Sequence, residues 1–294
     1  MPPFVESLKQ GRFVVTTEEL PPKGTDITPF IRRTRHLLGH VDAINLTEAS
    51  GAIMTMSPLG MVPALIAQGH MPILQITCRD RNRIAIQGEI LAAAALGVTA
   101  IVGMSGDPIE AGDTREAVAV NDLDTPSLLR AMSSLARGLD LGGNGLDGPA
   151  ELLPGAVVNP GASDLDHELA WMEQKVEAGA QFFQTQAVYD PGAFERFMMR
   201  IDRLRVPVLA TYVMPKSPEM ARRMNRSIPG VHVPEAMIQL LDATEDKPAC
   251  AIELSAPILS RLAASCQGIH LIAVGWEHRF SDILVAAGLA RSQT

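Results

Sequence analysis

The chain has 294 residues, of which 47% are hydrophobic and 20% charged, and its formal net charge is -8 at pH 7. This composition is typical of a globular protein with a sizeable core, either one large α/β barrel or two smaller domains. The negative charge, with no basic stripe, argues against a nucleic-acid partner. The three cysteines, Cys78, Cys250 and Cys266, are widely spaced, which indicates a reducing compartment rather than a disulfide framework or a zinc site.

No targeting or membrane segment is evident in the sequence. The N-terminal stretch M-P-P-F-V-E-S-L-K-Q lacks the apolar core of a signal peptide. No uninterrupted apolar run reaches the ~18 residues that a membrane span needs. We therefore expect a soluble, cytoplasmic protein with no membrane partner.

Short β-prone apolar runs alternate with longer helical patterns, which indicates βα units around a parallel sheet. The predicted strands are Arg12–Glu18, Asp42–Thr47, Ile73–Cys78, Ala100–Met104, Ala156–Asn159, Phe182–Gln186, Val208–Tyr212 and His270–Val274. Helices are predicted near residues 27–38, 57–69, 82–96, 125–138, 165–178, 191–203, 217–226, 233–242, 248–266 and 279–289. Eight alternating strands favour a single-domain (β/α)8 TIM barrel over residues 1–294, and no Gly-x-Gly-x-x-Gly turn supports a Rossmann domain.

Glu18 and Glu19 end the first predicted strand and precede two prolines. A partly buried carboxylate at this end of a barrel strand is a candidate general acid, because burial raises the pKa of a carboxyl group toward neutrality. Strand alternation directs only one of the two toward the barrel mouth. The alternative is that one glutamate faces solvent and the other caps a loop.

Asp80 and Asp107 follow the third and fourth predicted strands. Asp80 either caps the next helix or contributes to a site. Asp107 lies between Gly106, which lets the backbone approach a ligand closely, and Pro108, which interrupts strand pairing. Asp107 is therefore either a ligand contact or part of a structural turn.

The fifth and sixth predicted strands also end in polar residues. Asn159 precedes a proline and is both a turn signal and a possible ligand contact. Gln184 and Gln186 share one face of their strand, and the Gln186 amide suits the edge of a heterocycle because it donates and accepts hydrogen bonds. The seven histidines show no metal-ligand spacing, so we expect no metal.

Seven segments, in order and spacing, resemble the methylenetetrahydrofolate reductase family, and in particular its branch with the T-C-R-D-R-N-R motif. They are T-x-E-x-L-P-P-K-G at 16–24, N-L-T-E-A-S-G-A at 45–52, T-C-R-D-R-N-R at 77–83, A-A-L-G-V-T-A-I-V-G-M-S-G-D-P at 94–108, D-L-D-T at 122–125, V-N-P-G at 158–161 and K-V-E-A-G-A-Q-F-F-Q-T-Q-A-V-Y-D at 175–190.

This resemblance implies a (β/α)8 barrel with FAD at its mouth that reduces 5,10-methylenetetrahydrofolate to 5-methyltetrahydrofolate with NADH or NADPH, in one-carbon metabolism and methionine biosynthesis. It implies that Glu18 is the general acid, that Asp107 lies beside flavin and pterin, and that Gln186 hydrogen-bonds the pterin or nicotinamide. The positions that contact FAD in family members are Thr47, Gln75, Ser105, Gly106, Asp107, Asn159, Glu168 and Lys175. Of these, Lys175 is the expected phosphate partner.

The sequence departs from the family pattern at three places. Gln75 stands where some members have His, and Ser105 where some have Arg. The seventh strand reads A-T-Y-V-M-P-K-S in place of G-I-L-P, so a bulky Thr211 or Tyr212 is expected to narrow the folate end. These departures leave two alternatives: a folate- or flavin-binding partner subunit, or a barrel enzyme of another one-carbon or pterin methyl-transfer pathway. The resemblance is compatible with assembly into a homo-oligomer or with a second reductase subunit.

Overall fold

The computed structural model describes residues 4–290, and within them eight parallel strands close into a barrel in the order β1 to β8. The strands are β1 (Val14–Glu19), β2 (Ala43–Leu46), β3 (Pro72–Thr77), β4 (Ala100–Met104), β5 (Leu153–Val158), β6 (Phe182–Ala187), β7 (Val208–Val213) and β8 (Gly268–Ile272). Strand β8 pairs with both β7 and β1, which closes the barrel. The predicted (β/α)8 fold is confirmed.

Helices separate most strands, and their positions follow the predicted ones. They are α1 (Phe4–Lys9), α2 (Thr28–Arg35), α3 (Val62–Ala67), α4 (Arg83–Ala95), α5 (Thr125–Ala136), α6 (Leu165–Glu177), α7 (Pro191–Ile201), α8 (Pro218–Ser227), α9 (Glu235–Ala243), α10 (Lys247–Ala263) and α11 (Phe280–Ala286). Helix α1 was not predicted. No helix within residues 4–290 is long and apolar enough to cross a membrane.

The most informative differences from the predicted strand boundaries are in β5 and β8. Strand β5 begins at Leu153, before the predicted Ala156, because the chain takes Pro154 into the sheet; the Pro154 carbonyl still accepts a hydrogen bond from the Gln181 amide. Strand β8 ends at Ile272 rather than Val274. Val274 has a φ of +50° and Gly275 a φ of +84°, and this left-handed backbone cannot continue a strand.

An apolar plug fills the amino-terminal end of the barrel. It contains Val14, Ala43, Ile73, Ala100, Val102, Leu153, Phe182 and Leu209 from the strands, with Phe4 and Leu8 of α1. The Phe4 and Phe182 rings meet edge to face with centroids 5.6 Å apart. A Cβ atom on Gly155 would lie 2.3 Å from the Phe182 ring, so this position requires glycine.

Above the plug the interior becomes polar. The residues of this buried polar layer are Thr16, Asn45, Gln75, Gln184 and His270. Because side chains alternate along a strand, the inward positions two residues further on lie at the carboxyl-end mouth. Along β1, β2 and β3 these positions hold Glu18, Thr47 and Thr77, and along β8 Ile272. Gln186 follows Gln184 on β6 across a register shift, and Thr211 of β7 is in register with His270 in the polar layer. The barrel therefore has an apolar floor and a polar mouth, where ligands of this fold bind.

Candidate active site

The Glu18 carboxylate lies at the mouth, and Glu19 lies on the opposite face of β1. The Glu18 Oε2 atom is 3.6 Å from His270 Nε2, and the Glu18 side chain is 21% exposed. Glu19 is buried and accepts a 2.9 Å hydrogen bond from Arg33 Nε on α2. Burial, reinforced by the charge of Glu277, raises the pKa of Glu19 to about 7. Of the two, only Glu18 is placed to reach a ligand at the mouth.

Asp107 connects the loop after β4 to the loop after β2. Its Oδ2 atom accepts a 2.7 Å hydrogen bond from the Gly51 amide, and its carbonyl accepts a 3.0 Å hydrogen bond from Arg79. Gly106 has a φ of +93°, and a Cβ there would lie 3.0 Å from the Arg79 Cβ. The Asp107 side chain remains exposed. It is thus part of a structural turn and also presents a negative charge at the mouth.

Asp80 does not cap the helix after β3. Its carboxylate forms a bidentate ion pair with Arg79, with both N···O distances 2.7 Å. The cap of α4 is Asn82, whose side chain accepts from the Ile84 and Ala85 amides. The capping interpretation of Asp80 is therefore wrong. The residue that marks the start of α4 is Asn82, a short polar side chain directly before the helix.

The two glutamines of β6 lie at different depths. Gln186 is half-buried at the mouth, and its Oε1 accepts a 3.0 Å hydrogen bond from the Ala187 amide. Gln184 lies in the polar layer and exchanges two hydrogen bonds with Asn45, of 2.7 and 3.2 Å. Gln186 is therefore the one whose amide can meet a ligand.

The remaining predicted cofactor positions fall into separate groups. Thr47 and Gln75 are buried inside the barrel. Asn159, Glu168 and Lys175 form a cluster after β5, in which Glu168 accepts a 3.0 Å hydrogen bond from the Asn159 amide and lies 4.0 Å from Lys175 Nζ.

Lys175 is held inside this cluster. Its Nζ donates a 2.8 Å hydrogen bond to the Val157 carbonyl, and its side chain is buried. Burial lowers the pKa of this ammonium group to about 8. A phosphate contact therefore requires the ammonium group to leave the Val157 carbonyl, and that role remains a prediction.

A cavity of about 780 Å³ lies beside the ends of β3 and β4. Its lining includes Arg79, Ser105, Gly106, Asp107, Arg115, Val118, Asn121, Asp124 and Trp171. Lys175 Nζ is 5.8 Å from the centroid of the Trp171 ring, so this tryptophan joins the Glu168–Lys175 cluster to the cavity. Val118 is 86% exposed beside it. The cavity combines two arginines, a tryptophan and apolar side chains with the carboxylates of Asp107, Glu110 and Asp124.

A sequence model of the methylenetetrahydrofolate reductase family matches residues 4–288. The chain belongs to this family. It is 22% identical over 307 aligned residues to "Methylenetetrahydrofolate reductase 2" of Schizosaccharomyces pombe, covering 97% of this chain and 47% of that protein. It is 23% identical over 299 aligned residues to "Probable methylenetetrahydrofolate reductase (NADH)" of Oryza sativa subsp. japonica, covering 97% of this chain and 50% of that one. The chain thus spans about half the length of these curated relatives.

Solved structures share the barrel. A Clostridium thermocellum protein described as binding two copies of 5-methyl-5,6,7,8-tetrahydrofolic acid superposes with a TM-score of 0.69 at 16% identity, covering 97% of this chain and 98% of that one. A 2,3-dimethylmalate lyase superposes with a TM-score of 0.52 at 15% identity, covering 100% of this chain and 92% of that one. At these identities the likeness concerns the fold.

Strand β7 departs from the methylenetetrahydrofolate reductase family pattern, but Tyr212 on this strand does not reach the mouth of the barrel. The Tyr212 hydroxyl donates a 2.8 Å hydrogen bond to Ser255 on α10, so the ring lies in the helix layer. Thr211 is the inward residue, and its buried Oγ1 has no hydrogen-bond partner among the described residues. The expectation that Tyr212 narrows the folate end is wrong, because strand alternation directs it outward.

Proposed function

We propose that this chain, acting as one catalytic barrel, reduces 5,10-methylenetetrahydrofolate to 5-methyltetrahydrofolate with FAD and NAD(P)H. The observation that carries the proposal is the placement of Glu18, Asp107 and Gln186 at the ends of β1, β4 and β6 in a member of this family. A folate-type substrate is further supported by the methyltetrahydrofolate described for the Clostridium thermocellum neighbour.

The residues around the cavity fit FAD. Gly106 lines the cavity and carries no side chain, which allows a cofactor to approach the backbone closely. Arg115 supplies a cation for the pyrophosphate, and Trp171 supplies a ring against which a heterocycle can stack. Bound FAD would accept a hydride from NADH or NADPH and pass it to the folate.

Glu18 supplies the proton that the substrate needs. Proton transfer from the Glu18 carboxyl to N10 breaks the bond between N10 and the bridging methylene, and the electron pair of that bond stays on N10. The methylene is then an iminium cation bonded to N5. Asp107 stabilises this cation by its negative charge. The Gln186 amide orients the pterin through hydrogen bonds.

The proposal is tested by anaerobic titration of purified protein loaded with FAD. NADH or NADPH is expected to bleach the flavin absorbance near ~450 nm, a property of the cofactor itself. Added 5,10-methylenetetrahydrofolate is then expected to restore the absorbance with one equivalent of 5-methyltetrahydrofolate formed. NADH is titrated first, because one relative is named as an NADH enzyme. Bleaching without reoxidation by the folate would contradict the proposal, and flavin binding alone would favour a partner subunit.

Asp107→Asn is expected to slow folate reduction about tenfold, the cost of removing one charge near a developing cation. The asparagine Oδ1 can still accept the hydrogen bond from the Gly51 amide, so the loop connection is kept. Stopped-flow reoxidation of the reduced flavin measures the effect. An unchanged rate constant would remove the electrostatic role of Asp107.

A further inference from the structure

His270 lies directly below Glu18 and takes no part in the steps described so far. It is in the middle of β8, buried at 3% exposure, and its ring contacts polar groups on both nitrogens. A buried histidine between a carboxylate and a hydrogen-bonded layer is an unusual use of the interior of a barrel, where branched apolar side chains dominate.

The Nδ1 side of the ring is fixed by two groups. The Thr16 hydroxyl lies 2.8 Å from His270 Nδ1, and the Gln184 amide nitrogen lies 3.3 Å from the same atom. The Gln184 amide is itself oriented by Asn45, which donates to its oxygen and accepts from its nitrogen. An amide nitrogen only donates, so the Gln184 contact favours an Nδ1 that accepts and a neutral ring with its proton on Nε2. The Thr16 hydroxyl is compatible with this tautomer because it can donate to Nδ1.

The Nε2 side of the ring points to Glu18. The distance from Nε2 to Glu18 Oε2 is 3.6 Å, which is longer than a hydrogen bond. The proposed contact therefore requires the partly exposed Glu18 side chain to move closer to the ring. The Nε2 hydrogen is then available to the carboxylate that remains when Glu18 has given up its proton.

We propose that His270 is a positioning residue for Glu18: Thr16 and the Asn45–Gln184 pair lock its ring so that Nε2–H holds the Glu18 carboxylate at the mouth. The role in turnover rests on the proposed function of Glu18, whereas the contact itself does not. By stabilising the carboxylate, His270 makes proton release to the substrate easier. Glu18 then regains a proton from water at the mouth.

The other members of the layer are uncharged. The charged groups on the elements that flank Glu18 and His270 include Asp42, Glu19 with Arg33, Glu48 with Arg81, Lys216 and Glu277. Glu19 is on the outer face of β1, and Glu277 accepts a 2.7 Å hydrogen bond from the Gly275 amide. These groups are unchanged when His270 is substituted, so a change in the pH dependence of folate reduction is assigned to the loss of the His270 ring.

The contact is tested first without turnover, by NMR of protein labelled with ¹⁵N-histidine, the His270 signals being assigned with His270→Asn. The expected wild-type signals are those of the neutral Nε2–H tautomer. Glu18→Gln is expected to shift the Nε2 resonance, whereas Glu195→Gln, at the Arg261 ion pair on the outer helices, leaves it unchanged. The proposal is overturned if Nδ1 carries the proton, or if the Nε2 resonance does not shift in Glu18→Gln. Either result holds even if the protein reduces no folate.

The kinetic arm uses His270→Asn, whose amide can keep the Nδ1-side contacts but does not reach Glu18. The folate half-reaction is expected to slow roughly 10- to 100-fold, the worth of one charge-assisted hydrogen bond. The folate dissociation constant and flavin reduction by NAD(P)H should stay unchanged. The alkaline limb of the pH–rate profile should move to higher pH, because the carboxyl group loses a partner for its ionised form. A wild-type rate and profile would overturn the proposal.

Substitutions of Thr16 decide the case if His270→Asn does not fold. Thr16→Val keeps the shape and removes the hydroxyl, so the ring loses one of its two locks. Slower folate reduction with a shifted pH profile, restored by Thr16→Ser, supports the proposal. Identical profiles for Thr16→Val, Thr16→Ser and the wild-type protein overturn it. If the wild-type protein reduces no folate, the proposed function fails, and the NMR result alone decides the pairing.

Discussion

Replacing Glu18 with glutamine is expected to reduce the rate of folate reduction by at least about 100-fold, the usual contribution of a general acid. Glutamine has nearly the same shape and can still contact His270 Nε2, but it carries no proton that N10 can take. Glu18 is the candidate acid because its neighbour Glu19 is buried on the opposite face of β1. Reduction of the flavin by NAD(P)H requires no such proton and should be unaffected.

The two half-reactions are measured separately by anaerobic stopped-flow absorbance. Glu19→Gln is the matched control, since it makes the same chemical change one residue along β1, at a side chain that points into the helix layer. Its folate half-reaction should match that of the wild-type protein. Equal loss of both half-reactions in Glu18→Gln would remove Glu18 from the acid role.

The fold was predictable because hydrophobic periodicity directly reports βα alternation. All eight strands fall within a few residues of their predicted positions, since each contains buried apolar residues between helical segments. Helix α1 was missed because six residues carry too little periodicity to indicate a helix. The boundary of β8 depends on the left-handed backbone at Val274, which nothing in local propensity indicates for a β-branched residue.

The candidate site was predictable where it depends on strand ends. Glu18, Asp107 and Gln186 were predicted because polar residues follow the apolar part of each strand, and the fold brings strand ends to one mouth. Their roles stay predictions. His270 and Asn45 were missed because a polar residue inside an apolar run has no partner in the linear sequence. Their partners lie more than 80 residues away along the chain. Trp171 was missed because its position on α6 acquires meaning only when the cavity exists.

Glu19, the second of the paired glutamates, affects the pH dependence of folding stability and has no part in the proposed reaction. Its ion pair with Arg33 does not compensate for burial, and its Oε1 atom is buried with no hydrogen-bond partner among the described residues. The pKa of Glu19 therefore rises from 4.5 to about 7 in the folded protein. In the unfolded chain the carboxyl group ionises near its ordinary pKa, so folding stability depends on pH through this one side chain.

The raised pKa of Glu19 is expected to make the folded protein less stable as the pH rises. Below pH ~4.5 Glu19 is protonated in both states and its full contribution is present; the contribution is lost as pH rises through about 7, and the loss above that pH amounts to about 3 kcal/mol. Glu19→Gln has no charge to bury, so it should exceed the wild-type protein in free energy of unfolding by up to that amount at pH 8. At pH 5, just above the ordinary pKa, this difference should be smaller than about 1 kcal/mol. Urea unfolding at pH 5, 7 and 8 measures the difference, with Glu195→Gln as an exposed control for which no such trend is expected. If the difference in free energy of unfolding between Glu19→Gln and wild type stays constant across these pH values, Glu19 ionises with its ordinary pKa in the folded protein.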